Sequence, residues 1–329
     1  MANKINGLES AAILGQSNIG YQEKRSARRD FLRGLGLGVA GAAAIGATGF
    51  RQTNALAAQT NLDVAILEFA LNLEYLEAEF YLRATDGHGL PPSLLGPHPG
   101  PVTGGNRVPF AMPLVKAYAQ EIATEEQKHV EFLRAALTAL TGSAISSPAI
   151  DFTESFPTLA SAAGLGSNFN AFENDMTFLL ASYVFEDVGV TAYHGAAPLI
   201  TNKAILDKAA GILAVEAYHA GLIRTVLFAN GKAAATEAIS NLRSILAGTA
   251  CTENVDDHGV GSLERPTITD ASDAQNGPLL GGFPTDNPPG NNAIAYDRTT
   301  RQVLNIVFGS KNATKGLFFP RGLNGIITS

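Results

Sequence analysis

The sequence predicts an all-α protein, a four-helix bundle with a loop-rich C-terminal extension. Three observations carry this expectation. Four segments, about 62–84, 113–140, 169–196 and 200–230, repeat apolar residues at helical spacing with few breakers inside. Each is long enough to cross a small domain. Glutamates, two of them followed three residues later by a histidine, recur near the middle of these segments.

The first fifty-seven residues stand apart from the bundle. "SARRDFLRGLGLGVAGAAAIGATGF" places Arg28 and Arg29 ahead of Phe31, Leu32 and a Gly/Ala-rich, weakly hydrophobic run, and Ala55 to Ala57 supply small residues for cleavage. Residues 1–57 therefore read as a signal peptide, and the twin arginines favour the Tat route over Sec. The mature protein is expected outside the cytoplasm, periplasmic or extracellular. The competing reading is a membrane anchor, but the run from Gly34 to Phe50 is short and poor in Leu and Ile. No stable membrane span is expected after signal cleavage.

Residues 58–230 form the expected bundle. Pro113 suits the first turn of the second helix, and Asn168 or Asn170 is expected to cap the third. "DGHGLPPSLLGPHPGPVTGGNRVPF", between the first two helices, reads as a surface loop, and 141–168 is long enough for a crossover. After Asn230, "KAAATEAISNLRSILAG" suggests a fifth helix, and a short one is expected around Thr299 to Phe308. Cys251 to Asn292 is mostly Gly, Pro, Asp, Asn and Thr, a loop composition. Residues 231–329 are too poor in apolar side chains to bury a core of their own and are expected to pack on the bundle.

Composition narrows the function classes. Without residues 1–57 the chain keeps 16 Lys/Arg against 27 Asp/Glu, a net charge of −11, which argues against nucleic acid as a partner. The single cysteine, Cys251, excludes an internal disulfide, a Cys-ligated zinc site and an iron–sulfur or rubredoxin-type centre within one chain.

Ionisable residues on the apolar helices are the chemical signal. In "GILAVEAYHAGLIR", Glu216 and His219 share a face with Ile212, Leu213, Ala220 and Ile223, so they point into the core. Buried there they need each other, other partners or a metal. "EIATEEQKHVEFLRAAL" repeats the spacing with Glu126 and His129, and Glu125, four before His129, competes with Glu126 for the inward role. In the first helix Glu74 lies on the stripe of Leu67, Leu71, Ala78 and Tyr81, whereas Glu68 and Glu79 lie off it. In the third helix Glu186 shares a face with Leu179, Tyr183, Val190 and Tyr193. Each lone glutamate has a tyrosine seven residues later, so the chain resembles two related helix pairs.

Four carboxylates and two imidazoles converging at one depth can hold two divalent metals, whose four positive charges offset the four acids. Oxygen-rich ligands with some imidazole suit iron or manganese. The expected ligands are Glu74, Glu126, His129, Glu186, Glu216 and His219. Behind them Tyr81 and Tyr193 are expected to hydrogen-bond ligating carboxylates, and Glu77 is either an extra ligand or a supporting acid. No catalytic residue is assigned. His88, His98, His194 and His258 lack partners at ligand spacing and are read as surface or loop residues.

"LNLEYLEAEFYLRA", Leu71 to Ala84, resembles the first-helix signature of the ferritin-like desiccation-related proteins, and "RQVLNIVFGS" and "GLFFPRGLNG" in the tail are similar to that group too. The resemblance covers roughly 60–230. One Glu from each of two helices with Glu-x-x-His from each of the other two is the known ligand set of ferritin-like di-iron and di-manganese proteins, matched here and not deduced. The resemblance implies a ferritin-like four-helix bundle, a di-iron site and association with stress or drying. The tail and export signal depart from cage ferritins, and the missing cysteine-bound iron departs from rubrerythrins.

The expected function is an exported di-metal protein, iron before manganese, reacting with oxygen or hydrogen peroxide in stress or desiccation protection. Its alternatives are a di-manganese catalase-like enzyme and a non-enzymatic protective protein. The partners expected are the small oxidant and, for assembly, further copies of the chain as a homo-oligomer.

Overall fold

In the computed structural model the described residues are 50–248, 257, 259–260 and 297–328, with side chains from residue 61 onward. Residues 1–49 of the expected signal segment, Cys251 and His258 lie outside them. Four long helices dominate: α1 (Phe50–Asp86), α3 (Pro113–Thr141), α5 (Asp175–Ala196) and α6 (Lys203–Ala229). Shorter helices are α2 (Pro92–Leu95), α4 (Ser155–Ala162), α7 (Ala233–Ala247) and α8 (Thr300–Phe308). The long helices pack chiefly as two pairs, α1 on α3 and α5 on α6.

Local chemistry sets the helix ends. Pro113 occupies the first turn of α3, and Gly142 ends that helix at φ 87°, a left-handed conformation that favours glycine. The cap of α5 is Asn174, not Asn168 or Asn170: its side chain accepts from Met176 N and Thr177 N, while Thr177 closes the reciprocal bond. Asn170 instead makes an Asx turn to Phe172 N at 3.0 Å. The crossover carries α4 and strand β2 (Ile150–Asp151), which pairs in parallel with strand β1 (Val102–Thr103) of the first loop. That loop is ordered by the bundle: Leu90 N donates to Glu79 Oε1 at 3.0 Å, and the Tyr75 hydroxyl donates to Leu94 O at 3.1 Å.

Helix α1 is buried on nearly all sides because the tail covers its outward face. Asn72 and Asn324 exchange side-chain to backbone bonds at 2.8 and 3.1 Å, and Ile326 N donates to Glu68 Oε2 at 2.9 Å. Phe308, Phe318, Phe319 and Leu323 join one core with Phe80, Phe156 and Phe185. A buried ion network ties α5, α6, α7 and the tail together. Arg224 and Arg243 each donate to Asp187 Oδ2 at 2.8 Å, and Arg243 and Arg298 both reach Asp257. Burial alone would raise the Asp257 carboxyl, but the two guanidinium groups hold it below the usual range.

Helix α6 is long and apolar enough to cross a membrane by length and composition. Its apolar face lies in the bundle core instead, with Ile205, Ile212, Ile223 and Leu227 buried beside Glu216 and His219.

Candidate metal centre

The four long helices bring all six expected ligands together, each buried and five of the six at 0% exposure. Among the described residues two groups meet at metal-ligand spacing around a shared member. Glu74, Glu126, His129 and Glu216 form one, and Glu126, Glu186 and His219 the other, their ligand atoms within 4.8 Å of one another. Glu126 belongs to both. Glu77, Glu186 and Glu216 form a third group on the same scale, so Glu77 stands beside one member of each of the first two groups as an additional carboxylate.

The donor atoms face a common centre more than they face one another. His219 Nδ1 lies 3.0 Å from Glu126 Oε1 and 3.3 Å from Glu186 Oε2, and His129 Nδ1 lies 3.3 Å from Glu126 Oε2. Yet both oxygens of Glu126 and of Glu216, Glu186 Oε2 and His219 Nδ1 form no hydrogen bond. These pairs stand at ion-pair distance without hydrogen-bond angles. Orphaned buried carboxylate oxygens are costly, and a cation among them removes the cost. The residues present fit a bound metal cation.

Supporting contacts cross between the helix pairs. Tyr81 donates to Glu186 and Tyr193 to Glu74, each tyrosine serving the opposite pair. Glu125 faces outward, with a side chain 37% exposed, and takes the His219 Nε2–H at 2.7 Å. It orients that imidazole so that Nδ1 faces Glu126 and Glu186. Glu125→Ala is expected to weaken metal binding by ~10–100-fold while leaving the helical signal intact; unchanged affinity in a metal titration would contradict this role.

The two halves are not identical. The position matching Glu77 in the second pair is Gly189, and a Cβ there would lie 2.3 Å from Glu216 Oε2 and 3.5 Å from Glu77 Oε1. A Gly→Ala change inside a helix ordinarily stabilises by roughly 1 kcal/mol. Here Gly189→Ala is expected to lower metal content at least by half, because Glu216 must leave its place. Full metal loading of the variant would refute this.

Without metal, protons do part of the work of a cation. Burial raises Glu74 to about 7, against the opposing pull of His129. Burial, then Glu216, raises Glu77 well above the carboxylate range; burial, then Glu126, does the same to Glu216. Burial would lower His129 and His219, but their carboxylate neighbours raise both, His219 to about 12. Glu126 runs the other way: burial would raise it, and the two imidazolium neighbours lower it. A folded-state pKa above the unfolded value gives stability that is present at low pH and lost as pH rises. For Glu74 the window runs from 4.5 to about 7 and is worth roughly 3 kcal/mol. The metal-free protein is therefore expected to melt at a lower temperature at pH 7.5 than at pH 5, with metal giving its largest stabilisation at the higher pH because binding releases protons. Calorimetry at both pH values, with and without metal, checks it; a metal-free melting point that rises with pH would contradict it.

Elsewhere, His88 and His98 are exposed, whereas His194 is half-buried near the end of α5, further inside than a surface reading places it. Glu79 is buried away from the centre and holds Arg83 at 2.8 Å.

Residues 62–229 match the ferritin-like domain family. The chain is 36% identical over 175 residues to the desiccation-related protein PCC13-62 of Craterostigma plantagineum, covering 50% of this chain and 53% of that one. The chain thus spans about half the length of that relative. It is 29% identical over 284 residues to the ferritin-like catalase Nec2 of Nesocodon mauritianus, covering 80% of this chain and 84% of that one. No solved structure matches the chain significantly. Four long helices, a buried carboxylate–histidine cluster and a match over the whole helical core agree, and this chain belongs to the ferritin-like family, with its similarity running to desiccation-related proteins.

Proposed function

We propose that the six residues hold two divalent metal ions, iron in the first instance, and that the loaded protein reacts with hydrogen peroxide or oxygen as part of stress or desiccation protection outside the cytoplasm. The observation that carries this reading is the shared, orphaned Glu126 carboxylate between two buried ligand groups. A metal pair would supply redox change and Lewis acidity. The chain supplies the rest: Glu126 would serve both ligand groups, Glu216 would join Glu74 and His129 in one, Glu186 would join His219 in the other, and Tyr81 and Tyr193 fix the Glu186 and Glu74 carboxylates. Leu71, Val130, Val190 and Ile223, all buried on the four helices, keep bulk water away. Export through the Tat route, already folded, is compatible with metal loading in the cytoplasm.

A second reading, peroxide disproportionation by a manganese pair, is favoured by the similarity to a ferritin-like catalase over most of the chain. It needs no external electron donor, and the sequence offers no cysteine-bound iron to act as one. The deciding experiment follows oxygen release from hydrogen peroxide by protein loaded with iron or manganese. Release with either metal supports peroxide chemistry and identifies the metal. Neither release nor an optical change on adding peroxide or oxygen would overturn the reading and leave a protective, non-enzymatic protein.

A further inference from the structure

A cavity of about 340 Å³ opens between the helices and the tail, one helical turn from the ligand layer. Ala70, Leu133 and Ile212 line it, each one helical turn from Glu74, His129 and Glu216 respectively. Tyr193 is its one polar contact with the centre, since its hydroxyl donates to Glu74. The remaining interior is aliphatic with a few aromatic rings. At the outer end Pro198, Leu199, Asp297 and Thr299 are exposed, and Phe132 and Ala196 along the wall are half-buried.

Its volume sets the ligand class. Oxygen and peroxide are about the size of water, whose share of liquid volume is ~30 Å³, so the space far exceeds what either needs. An apolar cavity of ~150 Å³ takes benzene and stays dry otherwise. Twice that volume suits two fused rings and lies in the ~300–1,000 Å³ range of small-molecule sites. Charge sets the class further. Asp297 stands exposed at the mouth, and the Arg298 guanidinium is turned to Thr191 and Asp257, so among the described lining residues no cation faces the cavity to receive an anion.

We propose that this cavity binds an uncharged aromatic molecule of about two fused rings, held by apolar contact and seated against Tyr193 next to the metal centre. The site is formed by the bundle and the tail packed on it and does not require that the centre be loaded or active. Leu199, 48% exposed, extends the apolar wall to the entrance and gives the molecule its way in.

The test uses the full protein and indole as probe, with binding followed by calorimetry and its place found by bromine scattering from 5-bromoindole in crystals. One indole per chain is expected, with bromine inside the cavity and indole-3-acetate, the anionic counterpart, binding about tenfold weaker or less. Ala209→Phe fills the space two turns from Glu216; it should weaken indole by about tenfold or more while leaving metal content unchanged. Metal content and indole binding are separate readouts, so failure of one does not mask the other. Absence of indole binding, bromine confined to the surface, or wild-type affinity in a folded Ala209→Phe protein would overturn the proposal. Should that variant not fold, the bromine position in the unaltered protein decides.

Discussion

Glu126→Ala is expected to empty both metal positions at once. The carboxylate stands in both ligand groups, 3.0 Å from His219 Nδ1 and 3.3 Å from His129 Nδ1. Removing a partner one shell further out typically costs ~10–100-fold in metal affinity, so losing a shared ligand should cost at least ~100-fold. Each imidazole also loses a carboxylate that raises it, which leaves the metal-free core less able to neutralise itself. Peroxide or oxygen reactivity should fall to the level of metal-free protein. Glu131→Ala, one turn away and paired with Lys128 at the surface, should change neither, because exposed pairs are worth ~0–1 kcal/mol. Elemental analysis of both variants checks this; a Glu126→Ala protein that keeps its metal would show the two groups to be independent.

Arg243→Ala is expected to give the largest loss of stability. Its guanidinium, 2% exposed, donates to Tyr183 O at 2.7 Å and bridges Asp187 and Asp257 at 2.8 and 2.7 Å. It also lies over the Tyr183 ring, 4.5 Å from the centroid. Removing one partner of a buried ion pair leaves the others uncompensated, at a cost of ~3–5 kcal/mol. For a domain of this size that is roughly 10 °C in melting temperature. Asp187 directly follows Glu186, so metal affinity should fall more modestly through a small shift of α5. A melting point within about 2–3 °C of the parent protein, the shift expected for only ~1 kcal/mol, would contradict the assignment.

The bundle and its six inward residues are legible in the sequence because helix periodicity determines facing. A glutamate and a histidine three apart cannot leave a common face, and two such pairs plus two lone glutamates on apolar stripes leave little choice of direction. What spacing does not show is the partner across the bundle. Glu125 stands four before His129 and competes on paper with Glu126, yet it serves His219 of another helix. Tyr81 and Tyr193 each follow one glutamate by seven residues and bond to the other. These pairings depend on how the helix pairs dock, which periodicity does not encode.

Other features had faint signals. Arg224 lies five residues after His219 in an apolar helix, and Arg243 in α7; a buried guanidinium needs acids, and Asp187 and Asp257 supply them. Asn174 followed by Thr177 has the reciprocal spacing of a cap, but Asn170 followed by Glu173 has it too, so spacing alone does not choose between them. The stripe of Glu74 was legible, but the burial of Glu79 was not, because it comes from the loop and tail covering α1. Strands of two residues, β1 and β2, are too short to leave a period.

The central claim is that Glu74, Glu126, His129, Glu186, Glu216 and His219 hold a metal pair. Elemental analysis of the protein purified from its natural pool, without chelator or added metal, tests it most directly. The account predicts close to two ions of iron or manganese per chain, lost together in Glu126→Ala. Folded wild-type protein with no bound metal would contradict it and make the six residues a proton-neutralised polar core.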